Sequence, residues 1–296
     1  MRDTIHESPV TSHEPPDFAC GYAGASETRV TAGHILGRAV RFSINPFLSS
    51  DSVGYNSYAS KPAGEGLAIF LELCVELTGP VNCDTGLVVN VTDIDAAVRA
   101  HAVPIFAERI RREFRAGRGI DFAMLGELLD QVRQSLADKF GPANLDRLTL
   151  RLNPFRELTM NCRDTRLLCF TEKFEFAATH KLWNDGFSEQ RNFEVFGKCA
   201  NPAGHGHNYI VDVTLEIPAG QELAICDFEK VVDEELIRLL DHKNINIEVP
   251  YFAGAIPTVE NIAVFAWERL TGRFSNGRLA RVTVWETDKT YCTYCG

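Results

Sequence analysis

The stretch Lys198–Tyr209, KCANPAGHGHNY, holds the residue types best suited to chemistry. Cys199, His205 and His207 fall within nine residues, and Gly204 and Gly206 flank His205. The run after it, Ile210–Ile217, alternates as a strand does. Side chains of a strand return to one face every second residue, so His205 and His207 share a face if the strand begins early enough. A third imidazole, His180, closes the upstream run Lys173–Thr179. The pattern H-x24-H-x-H offers three nitrogen ligands and leaves a fourth position open. Catalytic zinc sites are built that way, whereas structural ones are closed by four protein ligands. His-Gly-His alone is also an ordinary surface or core pair, so the surroundings decide.

Composition narrows the classes of function. A chain of 296 residues with 45% hydrophobic and 24% charged content fits one large or two medium globular domains. The net charge of −10 excludes a general binder of nucleic acid or membrane surfaces, and leaves a small anionic substrate open. No run has the length of a membrane span, and the N-terminus lacks the charged-then-apolar pattern of a secretory signal. A cytoplasmic protein is therefore expected. The 9 cysteines, spread from Cys20 to Cys295, do not form a disulfide framework. Cys292 and Cys295 make a C-x2-C, but a zinc ribbon needs a second such pair. Cys162 and Cys169 read as plain core or strand residues.

The elements that must position these groups come in a repeating order. Residues 1–36 are rich in Pro, Ser, Glu, Thr and Gly, and order is expected from near Gly37. Arg38–Ile44 reads as a strand, Ser49–Gly66 as a polar loop and Leu67–Leu77 as a long strand. Thr92 or Asp93 can cap a helix running to about Arg115, which Gly117-Arg118-Gly119 ends. Asp121 can start the next helix, with Phe122, Leu125, Leu128, Leu129, Val132 and Leu136 on its apolar face. Strands are expected at Leu145–Leu152 and Glu157–Asn161. The order then recurs: a strand at Phe170–Ala178, a long loop to Gly204, a strand at Asn208–Ile217, and a helix from near Asp227 to near Asp241. A second helix is capped by Thr258, and strands follow at Arg278–Glu286 and Thr290–Tyr294.

Both halves thus read strand, strand, helix, helix, strand, strand, an internal duplication with its boundary near residue 165. The expected division is an arm at 1–36, one domain at 37–165 and another at 166–296. The halves differ where the chemistry should sit. In place of His180 the first half has Asn45-Pro46-Phe47; in place of the His-Gly-His run it has Gly64-Glu65-Gly66-Leu67. In place of Trp285-Glu286 it has Leu152-Asn153. The first half is expected to be catalytically silent and to serve oligomer geometry.

Five motifs in order give the second half a family resemblance. They are Phe174-Glu-Phe-Ala-Ala-Thr-His180, then Cys199-x5-His205-Gly-His207-Asn-Tyr209, then Leu240-Asp241-His242-Lys243-Asn244, then Pro257-Thr258-Val259-Glu260-Asn261, and Trp285-Glu286-Thr287-Asp288. Over residues 168–296 the chain resembles the 6-pyruvoyl-tetrahydropterin synthase / 6-carboxytetrahydropterin synthase family. The resemblance implies an α+β chain of two tandem tunnelling-fold (T-fold) domains. Each is an antiparallel sheet with two helices on one face, and the sheets join into an oligomeric barrel. It implies a homo-oligomer with sites at domain or subunit junctions, and no nucleic-acid or membrane partner.

The resemblance also implies roles. The substrate would be 7,8-dihydroneopterin triphosphate, and His180, His205 and His207 would hold Zn²⁺ as a Lewis acid. Cys199 would be the general base, its thiol pKa lowered by the dication. Asp241 and His242 would relay protons, reaching a site in an adjacent domain. Glu286 would accept side by side from the pterin ring N–H and exocyclic amine. Thr258 would add a polar contact, in competition with its role as a helix cap. Lys181, Arg191, Lys198 and Lys243 are candidates for the triphosphate. Elimination of triphosphate with rearrangement gives the pyruvoyl product; further loss of acetaldehyde gives the carboxy product on the route to queuosine. The C-x5-HGH spacing leans toward the pyruvoyl type. A different class of reading, a non-catalytic pterin- or zinc-binding oligomeric scaffold, fits a chain half of which lacks the site.

Overall fold

Alternating strands need one face covered, and here helices cover it. A computed structural model of the protein describes residues 33–48 and 68–296. Most of the arm expected at 1–36, the loop Ser49–Gly66 and the Gly64–Leu67 stretch set against the His-Gly-His run by sequence lie outside the described residues; the strand registers instead set His207 against Ile69. In the first half β1 (His34–Ile44) and β2 (Ile69–Gly79) form an antiparallel pair. Order therefore reaches back beyond Gly37 among the described residues. The helices α1 (Val91–Ala97) and α2 (Val103–Arg115) follow, joined through a wider π-type turn just before Pro104, which has no amide hydrogen to give the previous turn. The cap of α1 is Asn90, not Thr92 or Asp93: its side chain accepts from the Thr92 amide. Asp121 caps α3 (Phe122–Leu136) as expected, accepting from Met124. Then come β3 (Asn144–Arg151) and β4 (Arg156–Asn161).

The second half opens with β5 (Leu167–His180), longer than expected at both ends. The expected long loop contains a short helix, α4 (Glu189–Phe196), capped by Ser188. Only Asn192 of that helix is buried, so no apolar stripe announced it in the sequence. Then follow β6 (His205–Pro218), α5 (Ile225–Val232), α6 (Arg238–Leu240), the two-residue β7 (Lys243–Asn244), α7 (Ile245–Glu248), α8 (Val259–Leu270), β8 (Arg278–Thr287) and β9 (Thr290–Tyr294).

All strands join one sheet in the order β1-β2-β3-β4-β5-β6-β8-β9, with β7 beside β5. The pairing is antiparallel throughout that path, and only β7 runs parallel to its neighbour. The registers of the two halves match residue for residue. Val75 faces Leu148 as Val213 faces Val282, and Thr149 faces Thr159 as Thr283 faces Thr293. Both threonine pairs join their hydroxyls, at 3.0 Å and 2.8 Å. A β-bulge falls between Glu76 and Leu77 and again between Thr214 and Leu215, which are matching positions.

The core crosses the boundary between halves. Phe122 of α3, Phe170 of β5 and Phe228 of α5 meet edge to face, with centroids 5.9 Å and 5.5 Å apart. Leu158, Met160, Leu168 and Phe170 at the β4–β5 seam are all buried. Each such side chain contributes about 1.5–3 kcal/mol by leaving water. Arg156 closes one end of the seam on the same face, pairing with Glu172 at 3.0 Å and with Glu229. Ala32–Gly296 accordingly forms one compact unit. Among the described residues no helix is long and apolar enough to cross a membrane.

Candidate functional site

The site lies where β5 ends and β6 begins. His180 faces His205 directly across the antiparallel pair, and His207 faces Ala178 two residues on. Both histidines of β6 therefore point the same way, onto His180. Gly204 makes the entry possible: its φ is +72°, and a Cβ there would stand 2.9 Å from the His180 carbonyl oxygen. Ring centroids are 4.5 Å apart for His180–His205, 4.9 Å for His205–His207 and 5.2 Å for His180–His207. One nitrogen from each ring lies within 4.8 Å of the other two.

Hydrogen bonding sets the free lone pairs. The Nδ1–H of His180 donates to the Pro257 carbonyl at 2.7 Å, which leaves Nε2 as an acceptor. That Nε2 stands 3.0 Å from His205 Nε2. The Nε2 of His207 is buried and has no partner among the described residues. Burial holds the His180 pKa down at about 4, with the neighbouring His205 and His207 adding to it, so the ring is neutral near pH 7. Burial also lowers His205, again helped by His207. Converging imidazoles with an orphaned inward nitrogen fit a small divalent ion. Zinc–nitrogen bonds of about 2.0–2.1 Å would set the nitrogens about 3.3 Å apart, close to the spacing of His180 and His205.

The expected supporting residues arrive from four other segments. Glu286 is the second-last residue of β8, and a bulge between Trp285 and Thr287 takes it out of the pairing with β9. Its carboxylate lies 3.3 Å from His180 Nε2 and 3.6 Å from His207 Nε2. Cys199 sits in a single 3-10 turn, Gly197–Ala200, behind α4. Its carbonyl accepts from the Leu182 amide at 2.9 Å, which ties the turn to the segment just after His180. Burial pushes the thiol up, and the Glu286 charge pushes it further. The protein groups alone thus act against the lowered thiol pKa expected from the sequence, because the carboxylate is near and desolvation favours the neutral form. Thr258 caps α8: its hydroxyl accepts from Asn261. The cap fixes the residue before it, Pro257, whose carbonyl holds His180.

Asp241 and His242 pair with each other, Nδ1 to Oδ2 at 2.8 Å, and hang on β5 near its C-terminal end, at Ala177. Asp241 accepts from the Ala177 amide at 2.9 Å, and the His242 amide donates to the Ala177 carbonyl at 2.6 Å. The Ala177 amide, with His242 second, holds the Asp241 carboxyl below its ordinary range. The His242 side chain is 83% exposed, and it is not one of the three imidazoles whose nitrogens converge. His242 has a φ of +56°, a strained value for a residue with a Cβ.

Three of the four candidate cations are engaged elsewhere. Lys181 stands over the Trp183 ring at 4.8 Å, Arg191 pairs with Glu194 and Lys243 with Glu248. Lys198, beside Cys199, has no ion pair among the described residues. Sequence reasoning missed four positioning residues. Pro257 acts through a backbone carbonyl, which leaves no sequence signal. Tyr209 stands in the His-Gly-His-Asn-Tyr run, fully buried, with its hydroxyl 3.3 Å from His180 Nδ1. Asn192 is buried and bonds both the amide and the carbonyl of Asn184, holding the segment that carries Cys199. Asn246 does the same for Lys181, next to His180. Polar residues amid loop sequence look alike until their partners are known.

The sequence profile of the family described as 6-pyruvoyl tetrahydropterin synthase matches residues 169–296. A human 6-pyruvoyl tetrahydrobiopterin synthase is 39% identical over 130 residues, covering 43% of this chain and 90% of that protein. The Drosophila melanogaster 6-pyruvoyl tetrahydrobiopterin synthase is 37% identical over 131 residues, 43% of this chain and 78% of that protein. A solved Caenorhabditis elegans 6-pyruvoyl tetrahydropterin synthase superposes with a TM-score of 0.42 at 32% identity, covering 44% of this chain and 96% of that one. The chain belongs to the 6-pyruvoyl tetrahydropterin synthase family, a family of lyases in pterin biosynthesis.

Proposed function

We propose that the half at 166–296 is a zinc-dependent 6-pyruvoyl-tetrahydropterin synthase site acting on 7,8-dihydroneopterin triphosphate, and that the half at 37–165 is its silent scaffold. The observation that carries this reading is the convergence of His180, His205 and His207 on one point, with Glu286 beside them. Zinc held by the three imidazoles supplies Lewis-acid polarisation of the substrate's side-chain oxygens. Glu286 orients the pterin by accepting from two adjacent N–H groups. Cys199 takes the proton from the substrate side chain, and loss of triphosphate follows. Asp241 and His242 relay protons for a site in a neighbouring domain. Lys198 is the cation best placed for the triphosphate, being unpaired and next to the base.

The curated relatives favour the pyruvoyl over the carboxy product, since they carry the former name. The deciding experiment is product analysis by mass with zinc-loaded protein and dihydroneopterin triphosphate, with acetaldehyde assayed alongside. The pyruvoyl product without acetaldehyde is expected. Stoichiometric acetaldehyde would assign the carboxy reaction instead. Absence of turnover from zinc-loaded protein would favour the non-catalytic scaffold.

A further inference from the structure

The end of β8 carries different groups on its two faces. Val282 and Val284 are fully buried in the core, and Glu286, two residues on, turns the same way toward the histidines. Trp285 lies between them and faces the other side of the sheet. The bulge here takes Glu286 out of the β9 ladder, so the ladder does not fix its backbone. A carboxylate that must meet two adjacent N–H groups has to be held to within about 0.5 Å. Trp285, its neighbour in the chain, is the residue that is held.

Both neighbouring strands grip Trp285. Its Nε1–H donates to Oδ2 of Asp212 on β6 at 3.2 Å. Its ring lies against that of Tyr291 on β9, with centroids 4.2 Å apart and planes 32° apart. Asp212 is not a solvated surface acid. Its Oδ1 is buried with no partner among the described residues, and burial lifts the carboxyl above its ordinary range, against the pull of Lys173 and the indole N–H. The first half grips the matched residue with different chemistry. By the registers Trp285 corresponds to Arg151, Tyr291 to Glu157 and Ile210 to Glu72. Arg151 bonds Glu72 on one side and Glu157, at 3.3 Å, on the other. In the second half Ile210 offers no acceptor, and Asp212, two residues along the same face, takes over. The counterpart of Asp212 is Cys74, and the residue after the grip in the first half is the apolar Leu152.

We infer that Asp212 and Tyr291 are positioning residues: they anchor Trp285 on the face away from the three histidines, and so fix the backbone that aims Glu286 at the pterin. The aim at a pterin rests on the proposed function, whereas the hold on the strand does not. Asp212 acts as an acceptor for the indole N–H, so a neutral amide oxygen in its place serves as well.

The test uses the full-length, zinc-loaded protein and two readings: binding of 7,8-dihydroneopterin by fluorescence titration, and hydrogen exchange of the β8 peptide that carries Glu286. Asp212→Val should weaken dihydroneopterin binding about five- to tenfold and speed that exchange about tenfold, with zinc content unchanged. Asp212→Asn keeps an acceptor and should stay within about twofold of wild type in both. Tyr291→Thr, at a position 44% exposed, should move both readings the same way by about threefold, and it decides the matter if Asp212→Val does not fold. Glu157→Gln, the matched change in the first half, should move neither. Asp212→Val within about twofold of wild type in both readings overturns the hold, as does an Asp212→Asn that loses as much as Asp212→Val. Faster exchange with unweakened binding overturns the aim of Glu286. Wild-type protein that binds no dihydroneopterin, while the exchange responds as expected, overturns the proposed function and leaves the hold on the strand standing.

Discussion

The two halves share their registers, their bulge and their cross-strand threonine pair, and differ in side chains at the strand ends and in the short elements α4, β7 and α7 of the second half. Where the second half has His180, His207 and Glu286, the matched positions of the first are Pro46, Ile69 and Leu152. The fold tolerates this because those positions lie past or at the last paired residues, where side chains do not decide the register. The sheet carries stability and the strand ends carry chemistry, so one copy can lose its site without loss of the scaffold. Because the seam between them is buried and crossed by Phe122, Phe170 and Phe228, the first half is packed against the second within one core.

The largest expected difference between the halves is in metal and turnover. His205→Ala should abolish stoichiometric zinc, measured by elemental analysis, and lower turnover about 10³-fold, equivalent to about 4 kcal/mol of lost transition-state stabilisation. Ile69→Ala, at the position matching His207, should leave zinc content and turnover unchanged. Wild-type protein should hold one zinc per chain. Two per chain would mean that the first half has a site of its own, and the contrast drawn here would fail.

A second contrast concerns thiols. Cys199→Ala should lower kcat about 10²–10⁴-fold, the usual range for loss of a general base, while zinc content stays the same. Its first-half foil is Cys162, where burial pushes the thiol up to about 12. Iodoacetamide at pH 8 should therefore leave Cys162 unmodified in the folded zinc-loaded protein and label Cys199, as read by peptide mass spectrometry. Equal labelling of both would remove the case for an activated Cys199.

These contrasts were only partly legible in the sequence. Alternation gave the strands, and Asp121 and Thr258 marked helix starts, because caps use few residue types. The spacing of His180, His205 and His207 was readable because a strand turns spacing into a shared face. The helix α4 was not, since its face is polar. The hold of Pro257 on His180 was not either, since a backbone carbonyl belongs to every residue. The strain at His242 was invisible for a similar reason: nothing in Leu-Asp-His-Lys indicates a left-handed backbone.

That strain gives the smallest and sharpest contrast. After the helical segment that follows the second long strand of each half the chain turns through a left-handed residue, Gly117 with φ +68° in one and His242 with φ +56° in the other. A Cβ on Gly117 would meet no atom within 4 Å, so a substitution there reports conformation and not collision. Gly117→Ala should cost about 1 kcal/mol in thermal or denaturant unfolding, since an L residue loses about 1–2 kcal/mol in this region and regains part through a stiffer unfolded chain. His242→Gly should have the opposite sign, gaining about 0.5–1 kcal/mol, because the backbone amide still reaches Ala177 and only an exposed pair with Asp241 is lost. Turnover should fall in that same variant and stay level in Gly117→Ala. If His242→Gly gains stability and loses turnover, the ring is held there for what it does; His242→Gly that loses stability would place the ring among the structural residues instead.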